Sequence, residues 1–113
     1  MTLTADAATS WALQLSNAQG DIWRLHYNPE TRQFGVDRTM AGQSDFHPEF
    51  PACHMAPRLA RSSVIHLQVY LDACLMETIA DDGLSAITSL SFPSSTWTGI
   101  EREGNVDVSL QTL

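Results

Sequence analysis

The residues of this chain that could do chemistry fall into three small groups. Asp37, Arg38 and Asp72 set two carboxylates with a guanidinium. Such a set can grip the polar groups of a ligand, or it can tie strand ends together through charge-assisted hydrogen bonds. Glu77 lies among Leu75, Met76 and Ile79, and burial there would raise its pKa toward that of a general acid. No second carboxylate stands at a spacing that would serve it, so the expected role of Glu77 is to pair with an arginine or a backbone donor. Asp37, Arg38, Asp72 and Glu77 are therefore expected to form a structural polar cluster rather than a catalytic one. His47, Glu49, Cys53 and His54 are metal-ligand types, but their spacing matches no zinc pattern, and Pro48 and Pro51 stiffen the segment. Neither a metal nor a cofactor is expected. Among the aromatics, Trp11 and Trp23 lie on apolar faces and belong to a core. Trp97 and Tyr70 stand among polar residues and are the candidates for stacking on a ligand.

The 113 residues suit one domain, 1–113, with enough chain to bury a core. Six basic residues, all arginine, face thirteen acidic ones, for a net charge of −7. That balance argues against a nucleic-acid partner, whose phosphates call for clustered positive charge, and against an anionic membrane surface. No apolar run is long enough to span a bilayer. The first fifteen residues lack the basic and apolar regions of a signal peptide, which leaves a longer parent protein free to be cytoplasmic or secreted. Cys53 and Cys74 have no paired-cysteine spacing, and buried free thiols are the simpler reading.

The elements that must carry these groups read mostly as strands. SWALQLSN (10–17), DIWRLHY (21–27) and RQFGVDR (32–38) alternate apolar and polar residues with period two, and short turns separate them. The result is an antiparallel meander. Residues 39–62, with Pro48, Pro51 and Pro57, read as a long ordered loop with room for one short strand. From Val64 to Ala80 the pattern fits two templates. Ile65, Leu67, Val69 and Leu71 line a strand face, while Leu67, Leu71, Cys74, Leu75 and Ile79 fit a helix; propensity beyond Asp72 favours the helix. Asp81-Asp82-Gly83 signals a turn. Ala86–Phe92, a short run through Trp97, and NVDVSLQTL (105–113) return to strand text, with Glu101 and Glu103 as like charges on a solvated edge. Eight or nine strands at this spacing predict an all-β antiparallel sandwich or barrel.

Two stretches resemble the C-terminal β-sandwich domain of glycoside hydrolase family 32, the invertases, inulinases and levanases. The first is YNPETRQFGVDR (27–38), continuing through Thr39, Gly42, Phe46 and Phe50. The second is LQVYLDACLMETIADDG (67–83), followed by ITSLSFP (87–93). Asp37-Arg38 fall on the family's Asp-Arg pair, and Asp72 and Glu77 on its aspartate and glutamate. Asp82-Gly83 fall on its turn, and Thr88, Phe92 and Pro93 on its closing motif. Cys74, Ile79 and Asp81 depart from the family's serine, aromatic and asparagine. The resemblance implies an antiparallel β-sandwich of two packed sheets, jelly-roll or lectin-like, in which Cys74–Ala80 is a strand. It also implies that this chain is an accessory module of a retaining β-fructosidase acting on sucrose or fructans. The family's catalytic carboxylates lie in a five-bladed propeller on Asn-Asp-Pro, Arg-Asp-Pro and Glu-Cys motifs, and none of these occurs here. The implied partner is that propeller, with direct contact to fructan or sucrose, through sugar rings stacked on Trp97 and Tyr70, as the alternative role, that of an independent carbohydrate-binding module. With only ten residues before Trp11, the first edge of the sandwich is expected to be incomplete and to invite pairing with a second copy.

Overall fold

The computed structural model describes residues 1–40, 53–71, 75–90 and 97–109, with side chains throughout except at 38–40, 53, 54, 75, 89 and 90. Ten strands appear among the described residues: β1 (Thr2–Asp6), β2 (Trp11–Ser16), β3 (Ile22–Asn28), β4 (Gln33–Met40), β5 (Cys53–Pro57), β6 (Val64–Leu71), β7 (Leu75–Ala80), β8 (Ser85–Leu90), β9 (Gly99–Glu103) and β10 (Val106–Ser109). They form two antiparallel five-stranded sheets. The first runs β10-β1-β6-β7-β8 and the second β5-β4-β3-β2-β9. Of the two all-β architectures that the alternating patterns allow, this is the sandwich that the family resemblance implies.

Alternation decides what lies between the sheets. Leu13, Leu15, Trp23, Leu25, Phe34 and Val36 from the second sheet meet Leu3, Ile65, Leu67, Val69 and Met76 from the first, and all are buried. Each such side chain withdrawn from water contributes about 1.5–3 kcal/mol. Trp11, Tyr27 and Phe34 gather at one end of this core, with Trp11 stacked on Tyr27 at 6.1 Å and Tyr27 tilted on Phe34 at 5.1 Å. At one side of the sandwich β8 packs against β5 and β4, and at the other β10 reaches β2.

The segment with balanced helix and strand patterns folds as β6 and β7, joined in register from Leu67–Ala80 to Leu71–Met76. Met76, Thr78 and Ala80 point inward, and Glu77 and Ile79 point outward. Helix propensity loses here because a strand gives β6 a partner and presents an apolar row to the facing sheet. The Asp81–Gly83 turn is a tight 3-10 turn in which Asp81, Asp82 and Gly83 all take positive φ, 54°, 58° and 97°. Short polar side chains and glycine tolerate that region.

Two sequence expectations need correction. The edge before Trp11 is not incomplete: residues 2–6 form β1, which pairs with β10 on one side and β6 on the other. The strand near Trp97 starts at Gly99, two residues beyond the tryptophan. The short strand for which the 39–62 segment left room is β5, paired to β4 from Gln33–Pro57 to Asp37–Cys53.

Candidate functional site

The polar residues on the outward face of the second sheet make the richest constellation among the described residues. Because Leu25 and Val36 point into the core, Arg24, His26 and Asp37 must point out, and Arg24 stands directly opposite Asp37 in the β3–β4 register. On the other flank Ala12 of β2 pairs with Glu103 of β9. These residues, with Ser10 and Gly104, line a groove of about 430 Å³ whose floor includes Ala12, buried although it faces outward.

Arg24 spans the groove. Its Nη2 donates to Glu103 Oε2 at 2.8 Å, and its Nη1 donates to Glu103 Oε1 at 3.2 Å and to Gln14 Oε1 at 3.4 Å. This two-pronged geometry is the one a guanidinium and a carboxylate favour. The hydrogen bond from Arg24 lowers the Glu103 pKa, and the same bond raises that of Arg24. Glu103 is thus held ionised, the opposite of what a general acid needs. The His26 pKa is lowered, first by burial and then by the Arg24 charge, with Asp37 opposing. Its imidazole crosses the neighbouring strand over Gly35, in the space a side chain at that position would occupy, beside the Met55 sulfur. The groove therefore offers Arg24 as a fixed cation, His26 as a largely neutral donor and acceptor, and two carboxylates. Such a set can bind hydroxyl-rich or polar surfaces.

The other expected site residues lie apart. Glu77 and Tyr70 are direct cross-strand neighbours on the outward face of the first sheet. That puts Glu77 on the opposite side of the sandwich from Asp37, so the structure does not bring the two together. Tyr70 is 47% exposed, and its hydroxyl donates to Gln68 Oε1 at 2.6 Å. Trp97 precedes β9 in the second sheet and packs against the core cluster, so it shares no surface with Tyr70. The Arg38 side chain, Asp72, Cys74, His47 and Glu49 lie outside the described residues, as do the side chains of Cys53 and His54. Among the described residues no three His, Cys, Asp or Glu side chains converge as metal ligands do.

The alternation of DIWRLHY (21–27) puts Arg24 and His26 on the face away from Trp23 and Leu25, but it does not show that they meet Asp37 and Glu103. The available signal was alternation plus hairpin register, which puts Arg24 beside Asp37. The approach of β9, some 79 residues later in sequence, had no local signal.

A family model described as "Glycosyl hydrolases family 32 C terminal" matches residues 1–112. A levanase of Bacillus sp. (strain L7) is 26% identical over 87 residues, covering 77% of this chain and 9% of that protein. A levanase of Bacillus subtilis (strain 168) is 22% identical over 111 residues, covering 95% of this chain and 16% of that protein. The crystal structure of an exo-inulinase from Aspergillus awamori shares the fold with a TM-score of 0.83 at 23% identity, over 93% of this chain and 23% of that one. The chain spans less than a quarter of the length of each of these proteins.

Proposed function

Because the chain belongs to the family of glycosyl hydrolase family 32 C-terminal domains, we propose that it serves as the non-catalytic accessory sandwich of a retaining β-fructosidase, packing against a catalytic propeller and stabilising it. The observation that carries this reading is the family match over residues 1–112. The groove chemistry is consistent with it. A retaining glycosidase needs two carboxyl groups about 5–5.5 Å apart, one of them protonated at work, whereas Glu103 is committed to Arg24 as an anion. A levanase and an exo-inulinase among the similar proteins make fructans the natural substrate class for the parent enzyme.

The test is direct. Incubated with sucrose, levan or inulin, this chain releases no fructose, and any hydrolysis above a heat-inactivated control overturns the reading. Mixed with the propeller part of a family 32 enzyme that lacks its own sandwich, it raises the unfolding temperature of that part. A mixture that melts as two independent species refutes the stabilising role.

A second reading, direct contact with fructan, draws on Tyr70, whose exposed ring stands beside Glu77 on the outward face of the first sheet. Aromatic rings stack on the apolar face of sugars while a neighbouring carboxylate accepts hydroxyls. Calorimetric titration with levan oligosaccharides separates the readings: binding that Tyr70→Ala abolishes favours this one, and the absence of heat favours the first.

A further inference from the structure

Half of the cationic residues of this acidic chain line one small cavity. Of six arginines set against thirteen carboxylates, Arg32, Arg58 and Arg61 border a space of about 250 Å³ near one end of the sandwich. They come from separate segments. Arg32 closes the turn between β3 and β4, with a positive φ of 54°. Arg58 and Arg61 lie in the connection from β5 to β6. The two segments are joined main chain to main chain, since the Arg58 N–H donates to the Arg32 carbonyl at 2.7 Å, and Arg32 Nη2 donates to the Ala60 carbonyl. The cavity is thereby held at a fixed width before any ligand arrives.

The charges in it do not balance. Arg58 is compensated, because its Nε donates to Asp81 Oδ2 at 3.1 Å and its Nη2 to Ser62 Oγ at 3.0 Å. Arg32 and Arg61 have no ion-pair partner among the described residues. Arg24 and Arg102, by contrast, each pair with a carboxylate. Two uncompensated guanidiniums thus share one recess in a chain of net charge −7, and the hydroxyls of Ser62 and Ser63 stand beside them.

We propose that this cavity binds a phosphate group, gripped by Arg32 and Arg61 with Arg58 as the rigid wall behind them. Guanidinium forks match tetrahedral oxyanions in geometry as well as charge. A phosphate monoester carries about −1.5 to −2 charges at neutral pH, which neutralises both free arginines, whereas one carboxylate leaves an arginine uncompensated. The volume is below the roughly 300–1,000 Å³ of pockets that enclose a drug-sized ligand, and Arg32 and Arg61 are exposed while Arg58 is buried, so the phosphate sits at the mouth of the recess and anything esterified to it projects into solvent. This assignment stands on the arginines alone and does not depend on the accessory-domain reading.

Calorimetric titration of the whole chain with inorganic phosphate, glycerol 3-phosphate and acetate tests it. Both phosphates bind, and affinity falls by about threefold or more as salt rises from about 20 to about 200 mM. Arg61→Gln removes a side chain with no hydrogen bond to the rest of the described structure, and it weakens phosphate binding about fivefold or more while the circular dichroism spectrum is unchanged. Arg32→Gln has a similar effect, and acetate binds about tenfold more weakly than phosphate. Tighter binding of glycerol 3-phosphate than of phosphate identifies an ester as the ligand; equal or weaker binding identifies the free ion, and either supports the site. No binding of either phosphate, acetate affinity equal to that of phosphate, or affinity unchanged by Arg61→Gln overturns the proposal.

Discussion

Arg58 and Asp81 carry the most concentrated interaction of any single pair in the described structure. Their side chains are 2% and 6% exposed, and their ion pair ties the connection after β5 to the turn between β7 and β8. Ser85 adds to the same junction by donating to the Pro57 carbonyl at 2.7 Å. Removing one member of a buried pair leaves the other charge stranded, at a cost of about 3–5 kcal/mol. Asp81→Asn keeps the size and the tolerance of positive φ, so chemical denaturation of this variant isolates the charge. A loss below about 1 kcal/mol would mean that water reaches the pair. His26 gives a pH signature. Its folded pKa lies below the ordinary value of about 6.5, so in mild acid the unfolded chain takes up this proton before the folded one does. Stability from this group is present above about pH 6.5 and is lost as pH falls toward the lowered folded pKa. His26→Gln should therefore lose less stability than the parent chain between about pH 7.5 and pH 5.5. Equal losses would show that burial does not perturb the imidazole.

At the scale of elements, β1 is the strand with the weakest sequence signal and the most demanding position. TLTAD offers only Leu3 and Ala5 as apolar residues, yet it pairs on both sides and buries both of them. Leu3→Ala is expected to cost about 2–5 kcal/mol in a denaturant midpoint, the range for a fully buried leucine. Thr4→Ala, one residue along on the exposed face, should shift stability by no more than about 0.5 kcal/mol. Similar losses for the two would contradict the register of β1. The β6–β7 pair carries the converse lesson. Its alternation is strong in β6, while helix propensity rises beyond Asp72, and packing of Met76 and Thr78 against the facing sheet decides the matter. That inward row is imperfect: the Thr78 hydroxyl is buried with no hydrogen-bond partner in the described structure.

Across the whole molecule, two outward sheet faces carry different chemistry. One holds the Arg24–Glu103 fork with His26 and Asp37; the other sets Tyr70 beside Glu77. Both face away from the shared core, which is why two groups taken as one cluster from their order along the chain end up on opposite sides. The amino-acid sequence alone determined the fold class, the β2–β3–β4 meander, the inward aromatics Trp11 and Trp23, and the family resemblance. All of these follow from period-two alternation, turn residues and short motifs, which are local and survive being read one segment at a time. Only the tertiary structure decided that β1 lies inside a sheet, that β9 carries Glu103 to Arg24, and that Arg32 meets Arg58 and Arg61. Each of these joins residues far apart in the chain through sheet order and strand register, and a linear pattern holds no term for which strand will lie beside which.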